Sequence, residues 1–291
     1  MTDGSLQLQL FNAIKVKIAD NLNAVDEIAK VLNISADSAY RRMRGEKTIS
    51  LDELYLLCSH YRLSLDQLMN VPTDNIIFQG SYFDRKSFSF EQYLKGVQHT
   101  LAYYNNFKEK EFFYMCKDLP IFHHFHFREV AAFKWYFWMK SYFQAPGFAK
   151  KKFRFTDYTD ELFAIDQKIL ELYNQLPSVE VWNIESMSIL LRQIEFCRDA
   201  DVFESDADAF LLYEQIEKLW DHLEKQASMG YKIKQDDPEQ KPMASFKMYF
   251  NEILLGDNSM LTILDGVKTS IILHATINYM STRDMKFCEN H

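Results

Sequence analysis

A basic segment near the start of the chain has the residue types that bind phosphate groups and base edges. Arg41, Arg42, Arg44 and Lys47 lie within seven positions, with Glu46 among them. Guanidinium groups bind phosphate oxygens and also the N7 and O6 acceptors of guanine. Because the same arginines also suit the solvated face of a surface helix, the neighbouring elements must decide between the two interpretations.

The overall charge does not argue against a local basic surface. The chain of 291 residues has a formal net charge of -8. Residues 1–72 hold eight Lys and Arg against nine Asp and Glu, so most of the negative charge lies in the remainder. A positive patch can persist on an acidic protein, since the local field depends on nearby charges.

Short helices with strong capping signals surround the basic segment. Asn23 is a suitable N-cap for the helix before the basic segment, and Ser35 is one for the helix that contains it. Gly45 is a suitable C-terminal stop, and Ser50 with Glu53 has the pattern of a capping box. Apolar periodicity predicts five short helices before Pro72. We expect them at residues 6–19, 24–32, 36–44, 51–61 and 65–69.

The second and third of these helices predict a helix-turn-helix. In this motif one helix enters the DNA major groove while the other crosses the backbone. Ala29 and Ala39 are small enough for the two helices to approach closely. On the third helix Ala39 and Met43 point inward, and the opposite, polar face contains Ala36, Asp37, Tyr40, Arg41 and Arg44.

The stretches IAKVLNIS and RRMRGEKTISLDELYLLCSHYRLSLDQLM resemble the lambda-repressor-like (XRE-like) helix-turn-helix family. The variant ISADSAYRRMRGE is similar to bacterial regulators, particularly from the Bacteroidetes, that join this domain to a long helical region. The resemblance covers about residues 24–70. It implies a five-helix DNA-binding domain and double-stranded DNA as the partner.

By this resemblance, the start and middle of the third helix meet base edges. Arg41 or Arg44 would bind guanine, Asp37 would accept from cytosine N4, and Ala36 would touch a thymine methyl group. Residues at the helix and loop ends would hold phosphates. The candidate DNA-binding residues are Ser35, Ala36, Asp37, Tyr40, Arg41, Arg42, Arg44, Lys47 and Thr48.

Two positions depart from the family pattern. Val25, followed by Asp26 and Glu27, stands where the family often has a glutamine that anchors a phosphate. Arg42 stands where the family often has an apolar residue, and it indicates either a phosphate clamp or a slightly rotated third helix. From these departures we expect weak DNA affinity for the isolated domain.

The sequence predicts a mainly α protein. Residues 1–72 would form the five-helix DNA-binding domain, and residues 73–291 a larger helical domain with a small antiparallel β-sheet near the C-terminus. An Asp-Gly pair between apolar runs predicts a hairpin within this sheet. The long helices are expected at residues 90–110, 127–143, 159–176, 181–199 and 206–228, and the strands at 247–255, 259–264 and 267–273, followed by a short helix.

No other motif in the sequence predicts a metal-binding or catalytic function. One segment contains residue types that bind zinc, namely His123, His124, His126 and Glu129. Their spacing fits no standard zinc site and favours packing in the core, so we expect no metal and no cofactor. We find no glycine-rich phosphate loop, GxSxG or HExxH motif, and therefore do not expect an enzyme.

The sequence predicts a cytoplasmic protein. Its four cysteines are far apart, and we find neither a leader pattern nor a membrane span.

These patterns together predict a sequence-specific DNA-binding transcription regulator. Paired half-sites need two recognition helices about 34 Å apart, so we expect a homodimer. The apolar segment at residues 127–143 is interpreted as a core helix, or as one whose spare face forms a dimer contact or a pocket for a small-molecule or protein effector. The alternative is a protein-interaction module whose helix-turn-helix no longer binds DNA.

Overall fold

The computed structural model describes residues 6–18, 22–65, 76–81, 88–235, 237–252, 255–274 and 277–291. The chain divides into two compact units, Met1–Ile77 and Phe78–His291, which we name unit 1 and unit 2. Each unit contains its own cluster of buried apolar side chains.

The described part of unit 1 consists of helices packed around one small core. They are α1 (Leu6–Lys17), α2 (Ala24–Leu32), α3 (Ala36–Met43) and α4 (Leu51–Tyr61). Every helix contributes at least one fully buried side chain, including Ile14, Ile28, Ala39 and Leu57. The predicted fifth helix falls on a stretch that the structure describes only as far as residue 65.

The predicted caps of these helices are confirmed. Asn23 and Ser35 each accept a hydrogen bond from a backbone N–H in the first turn of α2 and α3. Ser50 and Glu53 form both hydrogen bonds of the capping box at the start of α4. Gly45 has a φ of 77°, the left-handed conformation expected where the chain leaves α3.

Unit 2 combines helices with a seven-stranded sheet in its described residues. The helices are α5 (Phe90–Asn105), α6 (Ile121–His124), α7 (Arg128–Phe137), α8 (Asp160–Asn174), α9 (Ile184–Asp199), α10 (Asp206–Met229) and α11 (Met285–Asn290). A π-helical turn, Trp138–Tyr142, continues α7, and a 3-10 turn, Phe155–Asp157, precedes α8. The strands are β1 (Gln79–Ser81), β2 (Lys110–Cys116), β3 (Ser178–Trp182), β4 (Phe246–Phe250), β5 (Ser259–Leu264), β6 (Val267–His274) and β7 (Asn278–Thr282).

The sheet is mixed, with the order β1-β7-β6-β5-β2-β3-β4. Strand β3 pairs in parallel with both β2 and β4. The remaining pairs, from β2 through β5, β6 and β7 to β1, are antiparallel. The long connections that parallel pairing requires are supplied by the helices between β2 and β3 and between β3 and β4.

The predicted fold class is wrong. The protein is an α/β protein with one mixed sheet, and it is not a mainly helical chain with a small antiparallel sheet. The helix predicted to run to residue 110 ends at Asn105, and Lys110 begins β2. The helix predicted from residue 181 begins at Ile184, after β3. The strand near residue 247 pairs with β3 instead of joining the C-terminal antiparallel strands.

Strand β3 was missed because its buried face is largely polar. Ser178, Glu180 and Trp182 face the core, whereas the two valines between them are half-buried. An alternating pattern is recognised when apolar side chains occupy the buried face, and here a carboxylate occupies the middle of that face. The sequence pattern therefore does not distinguish this strand from a loop.

The predicted Asp-Gly hairpin is confirmed. β5 and β6 pair through Leu264 and Val267, and the two residues between them form the turn. Asp265 and Gly266 have φ values of 44° and 82°, as a type I′ turn requires. The strand that follows, β7, separates this hairpin from the short C-terminal helix α11.

Candidate nucleic-acid interface

Helices α2 and α3 form a helix–turn–helix arrangement in unit 1. Asn33, just after α2, has a φ of 51°, and the Ile34 N–H donates to the Ala29 carbonyl at 3.0 Å. Ser35 then caps α3, so that three residues separate the two helices. Ala39 is completely buried in the core of unit 1, which fixes the inward face of α3.

Eight of the nine candidate DNA-binding residues are exposed in unit 1. The side chains of Arg41 and Arg44 keep 54% and 60% of their accessible surface. Tyr40 is 48% exposed, and the Arg44 guanidinium lies 5.6 Å from its ring centroid. The exposed candidates are Ser35, Ala36, Asp37, Tyr40, Arg41, Arg44, Lys47 and Thr48.

Arg42 is the exception, and its placement among the DNA-facing residues is corrected. Its side chain is only 7% exposed and donates to both carboxylate oxygens of Glu53, at 2.7 and 3.2 Å. A further guanidinium nitrogen donates to the Ser38 carbonyl at 3.2 Å. The hydrogen bond from Arg42 lowers the pKa of Glu53 below its ordinary value. Arg42 therefore joins α3 to α4 and is not available to a phosphate.

The loop after α3 is held by Gln7, which sequence reasoning did not select. Its side-chain amide donates to the backbone carbonyls of Arg42 and Lys47, both at 2.7 Å, and its oxygen accepts from the Ile49 N–H at 3.2 Å. These contacts span more than 30 residues of sequence, so no local pattern signals them. Gln7 thus fixes the backbone that presents Lys47 and Thr48.

Glu46 opposes the basic face. One carboxylate oxygen lies 3.0 Å from Arg44 and the other 4.0 Å from Arg41. All three side chains are exposed, so each ion pair stabilises unit 1 only weakly. A phosphate approaching this face would compete with Glu46 for the same two guanidinium groups.

The first turn of α2 combines a residue that packs against the core with acidic side chains. Val25 is half-buried and packs against the core of unit 1. Glu27 accepts from Lys30 at 2.6 Å, and Asp26 is exposed. The N-terminal turn of α2 therefore presents negative charge.

In unit 2 the histidines considered for zinc are all buried. His123 Nε2 lies 3.0 Å from each carboxylate oxygen of Glu180, and His126 lies 4.5 Å from His222 between ring centroids. Burial keeps the pKa of His124 and of His126 well below the ordinary value. Among the described residues, no three His, Cys, Asp or Glu side chains are grouped as a metal site.

Glu180 is the centre of a buried polar cluster. Burial alone would raise the pKa of its carboxyl, but neighbouring His123 and the donors around it lower the pKa below the ordinary value. Tyr173 donates to one carboxylate oxygen, and the Trp182 indole N–H donates to the other at 2.8 Å. Lys232 Nζ lies over the Tyr173 ring and donates to two backbone carbonyls at 2.8 Å, and burial lowers the pKa of this group well below its ordinary value. Both carboxylate oxygens of Glu180 have hydrogen-bond partners inside the core, so we interpret the cluster as structural.

Within the part of the chain that the structure describes, no helix is long and apolar enough to cross a membrane. Comparison of the chain with models of protein families, with curated proteins and with solved structures found no match.

Proposed function

We propose that the protein is a sequence-specific DNA-binding protein that regulates transcription. The observation that carries this proposal is the division of α3 into two faces. Ala39 and Arg42 hold its inner face to the rest of unit 1, and the outer face presents Asp37, Tyr40 and Arg41 to solvent. This is the presentation that major-groove reading requires.

Base reading and backbone binding are assigned to different residues. Ala36, Asp37, Tyr40 and Arg41 would meet base edges, because they occupy the start and middle of the exposed face of α3. Ser35, Arg44, Lys47 and Thr48, at the ends of α3 and in the loop that Gln7 fixes, would hold phosphates. Arg42 is omitted from the interface.

A homodimer is part of the proposal, since two copies would present two recognition helices to paired half-sites. In this proposal unit 2 forms the dimer contact and binds the effector. An effector would change operator affinity by binding one arrangement of the dimer better than another.

The experiment is selection of the full-length chain on a random duplex pool at low salt. We expect enrichment of a defined sequence and steep salt dependence, about 1000-fold between 50 and 200 mM salt if about six phosphates are neutralised. Arg41→Ala should reduce discrimination at one base position by about 1–3 kcal/mol. Lys168→Ala, an exposed lysine of unit 2, is the matched control and should bind as the original chain does.

The competing function is a protein-interaction module. Glu46, which pairs with Arg41 and Arg44, and the acidic start of α2 favour it. If no sequence is enriched at low salt, the DNA-binding proposal is wrong and the interaction module takes its place.

A further inference from the structure

Unit 2 contains a cavity of about 420 Å³ between α5 and the antiparallel strands β5, β6 and β7. Tyr93, Val97 and Leu101 line it from the helix, and Ile271 and Tyr279 line it from the sheet. Its volume is within the range of small-molecule sites, which are mostly apolar and hold a few polar groups.

Gly96 keeps one side of this cavity open. It lies in the middle of α5, where glycine is unfavourable relative to alanine. A Cβ atom added to Gly96 would meet nothing within 4 Å, so packing does not require glycine here. Gln92, Gly96 and Thr100 are exposed and follow one another along one row of α5, with the glycine between two larger neighbours. Glycine at this position leaves a gap through which a ligand can approach.

The cavity selects against charged ligands. None of the described residues that line it has a charged side chain, and its polar groups are mainly hydroxyls, such as those of Tyr104, Thr269 and Ser281. Burial raises the pKa of Tyr104 to about 12, so its hydroxyl is neutral at physiological pH. A charged group placed here would lose its hydration without gaining a counter-ion.

A second, more polar cavity of about 220 Å³ adjoins the first and shares Tyr93, Tyr114, Ile121 and Leu273 with it. Its buried cation is Lys134, whose side chain is 6% exposed. The Lys134 ammonium has three N–H donors and lies 5.8 Å from the Trp138 ring centroid, and its hydrogen bonds to Asp118 and Gln193 are long at 3.4 and 3.3 Å. An oxygen acceptor that enters from the apolar cavity would give the Lys134 ammonium an additional hydrogen bond. Because Asp118 already neutralises Lys134, that acceptor needs no charge.

We propose that unit 2 binds an uncharged amphipathic small molecule in these two adjoining cavities. Its apolar body lies between α5 and the sheet, and its oxygen-bearing end points toward Lys134 and Asp118. The site stands independently of the proposed DNA binding, because the described residues that line the two cavities all belong to unit 2.

The test uses the full-length chain and N-phenyl-1-naphthylamine, a neutral probe whose fluorescence rises in apolar surroundings. We expect saturable binding that weakens at least 10-fold in Gly96→Leu, because the leucine side chain fills the opening. His99→Leu adds the same side chain to an exposed position of α5 outside the cavity, and should bind the probe as the original chain does. Gly96→Leu is expected to fold, since leucine favours the helix, and thermal unfolding checks this.

Competition on the unsubstituted chain tests the chemistry of the ligand. We expect 1-nonanol to displace the probe at a concentration at least 10-fold lower than nonanoate. Equal or stronger displacement by nonanoate would overturn the uncharged end of the proposed ligand. Undiminished probe binding by folded Gly96→Leu would overturn the cavity as the site. Both outcomes are independent of whether the chain selects a DNA sequence.

Discussion

Arg41 and Arg42 are adjacent arginines with opposite roles. Arg41 is exposed on the outer face of α3, while Arg42 is buried against Glu53. A count of basic residues treats them alike, although only one can reach a phosphate. The difference follows from the helical period, because consecutive residues point about 100° apart on a helix.

The first prediction concerns Arg42. Arg42→Ala should lower the free energy of unfolding of unit 1 by about 2 kcal/mol, because Glu53 loses a charge-assisted, largely buried partner. All four tryptophans lie in unit 2, so urea unfolding of unit 1 is followed by circular dichroism, and that of unit 2 by tryptophan fluorescence. Arg41→Ala is the matched control and should leave this transition within about 0.5 kcal/mol.

The same pair predicts a pH dependence. The folded-state pKa of Glu53 is lowered, so its contribution to stability is present above the unfolded-state pKa of about 4.3. It is lost as the pH falls from that value through the lower folded-state pKa. Glu53→Gln should make unit 1 less stable at pH 7 and reduce the loss of stability below pH 5. A loss as steep as in the original chain would show that another group causes it.

A second prediction concerns Glu46. Glu46→Gln should raise DNA affinity by about 2- to 5-fold at low salt, because a phosphate no longer has to displace an exposed ion-pair partner of Arg41 and Arg44 that is worth up to about 1 kcal/mol. Fluorescence anisotropy with the selected duplex measures the change. Glu217→Gln removes the same charge from an exposed position of unit 2 and is the control. Equal effects of the two substitutions would show that Glu46 acts only through net charge.

At the scale of elements, features that depend on neighbouring residues are predicted from the sequence better than the pairing of distant strands. The caps of α2, α3 and α4 were predicted because each depends on residues within one helical turn. The pairing of β4 with β3 was not, because the two strands are more than 60 residues apart in sequence. The β5–β6 hairpin was predictable because its register depends on the two-residue turn between its strands.

That turn gives a third prediction. Gly266→Ala should lower the free energy of unfolding of unit 2 by about 1–2 kcal/mol, because a residue with a Cβ is strained at a φ of 82°. Asp265→Asn is the control, since asparagine tolerates the left-handed region and its side-chain oxygen can still accept from the Glu109 N–H. Urea unfolding followed by tryptophan fluorescence measures both variants. If Asp265→Asn lowered the free energy of unfolding as much as Gly266→Ala does, the side-chain contact of Asp265 and not the backbone conformation would be the cause.

At the scale of the whole molecule, unit 2 is organised around a buried carboxylate on its central sheet. Glu180 accepts from His123, Tyr173 and Trp182, which come from α6, α8 and β3. Glu180 therefore connects the helices on this face to the sheet, and a change at this position affects the whole unit.

A fourth prediction tests this role. Glu180→Gln should lower the free energy of unfolding of unit 2 by about 3 kcal/mol, because the amide nitrogen would face a donor in a site built for two acceptors. Tryptophan fluorescence during urea unfolding gives the value. Glu185→Gln changes a half-buried carboxylate at the start of α9 and should cost less than about 0.5 kcal/mol. A comparably small loss for Glu180→Gln would contradict the central role of this carboxylate.

The sequence by itself determined the local features of this protein. The helices of unit 1 that the structure describes, their caps, the exposed face of α3 and the Asp-Gly turn all depend on residues close together in the chain, so propensity and periodicity predict them. Only the tertiary structure decided the burial of Arg42 against Glu53, the position of Gln7 beneath the loop after α3, and the mixed sheet of unit 2. Each of these depends on partners distant in sequence. For β3, the buried Glu180 replaced the apolar pattern by which a strand is recognised, and its hydrogen-bond donors come from elements that only folding brings together.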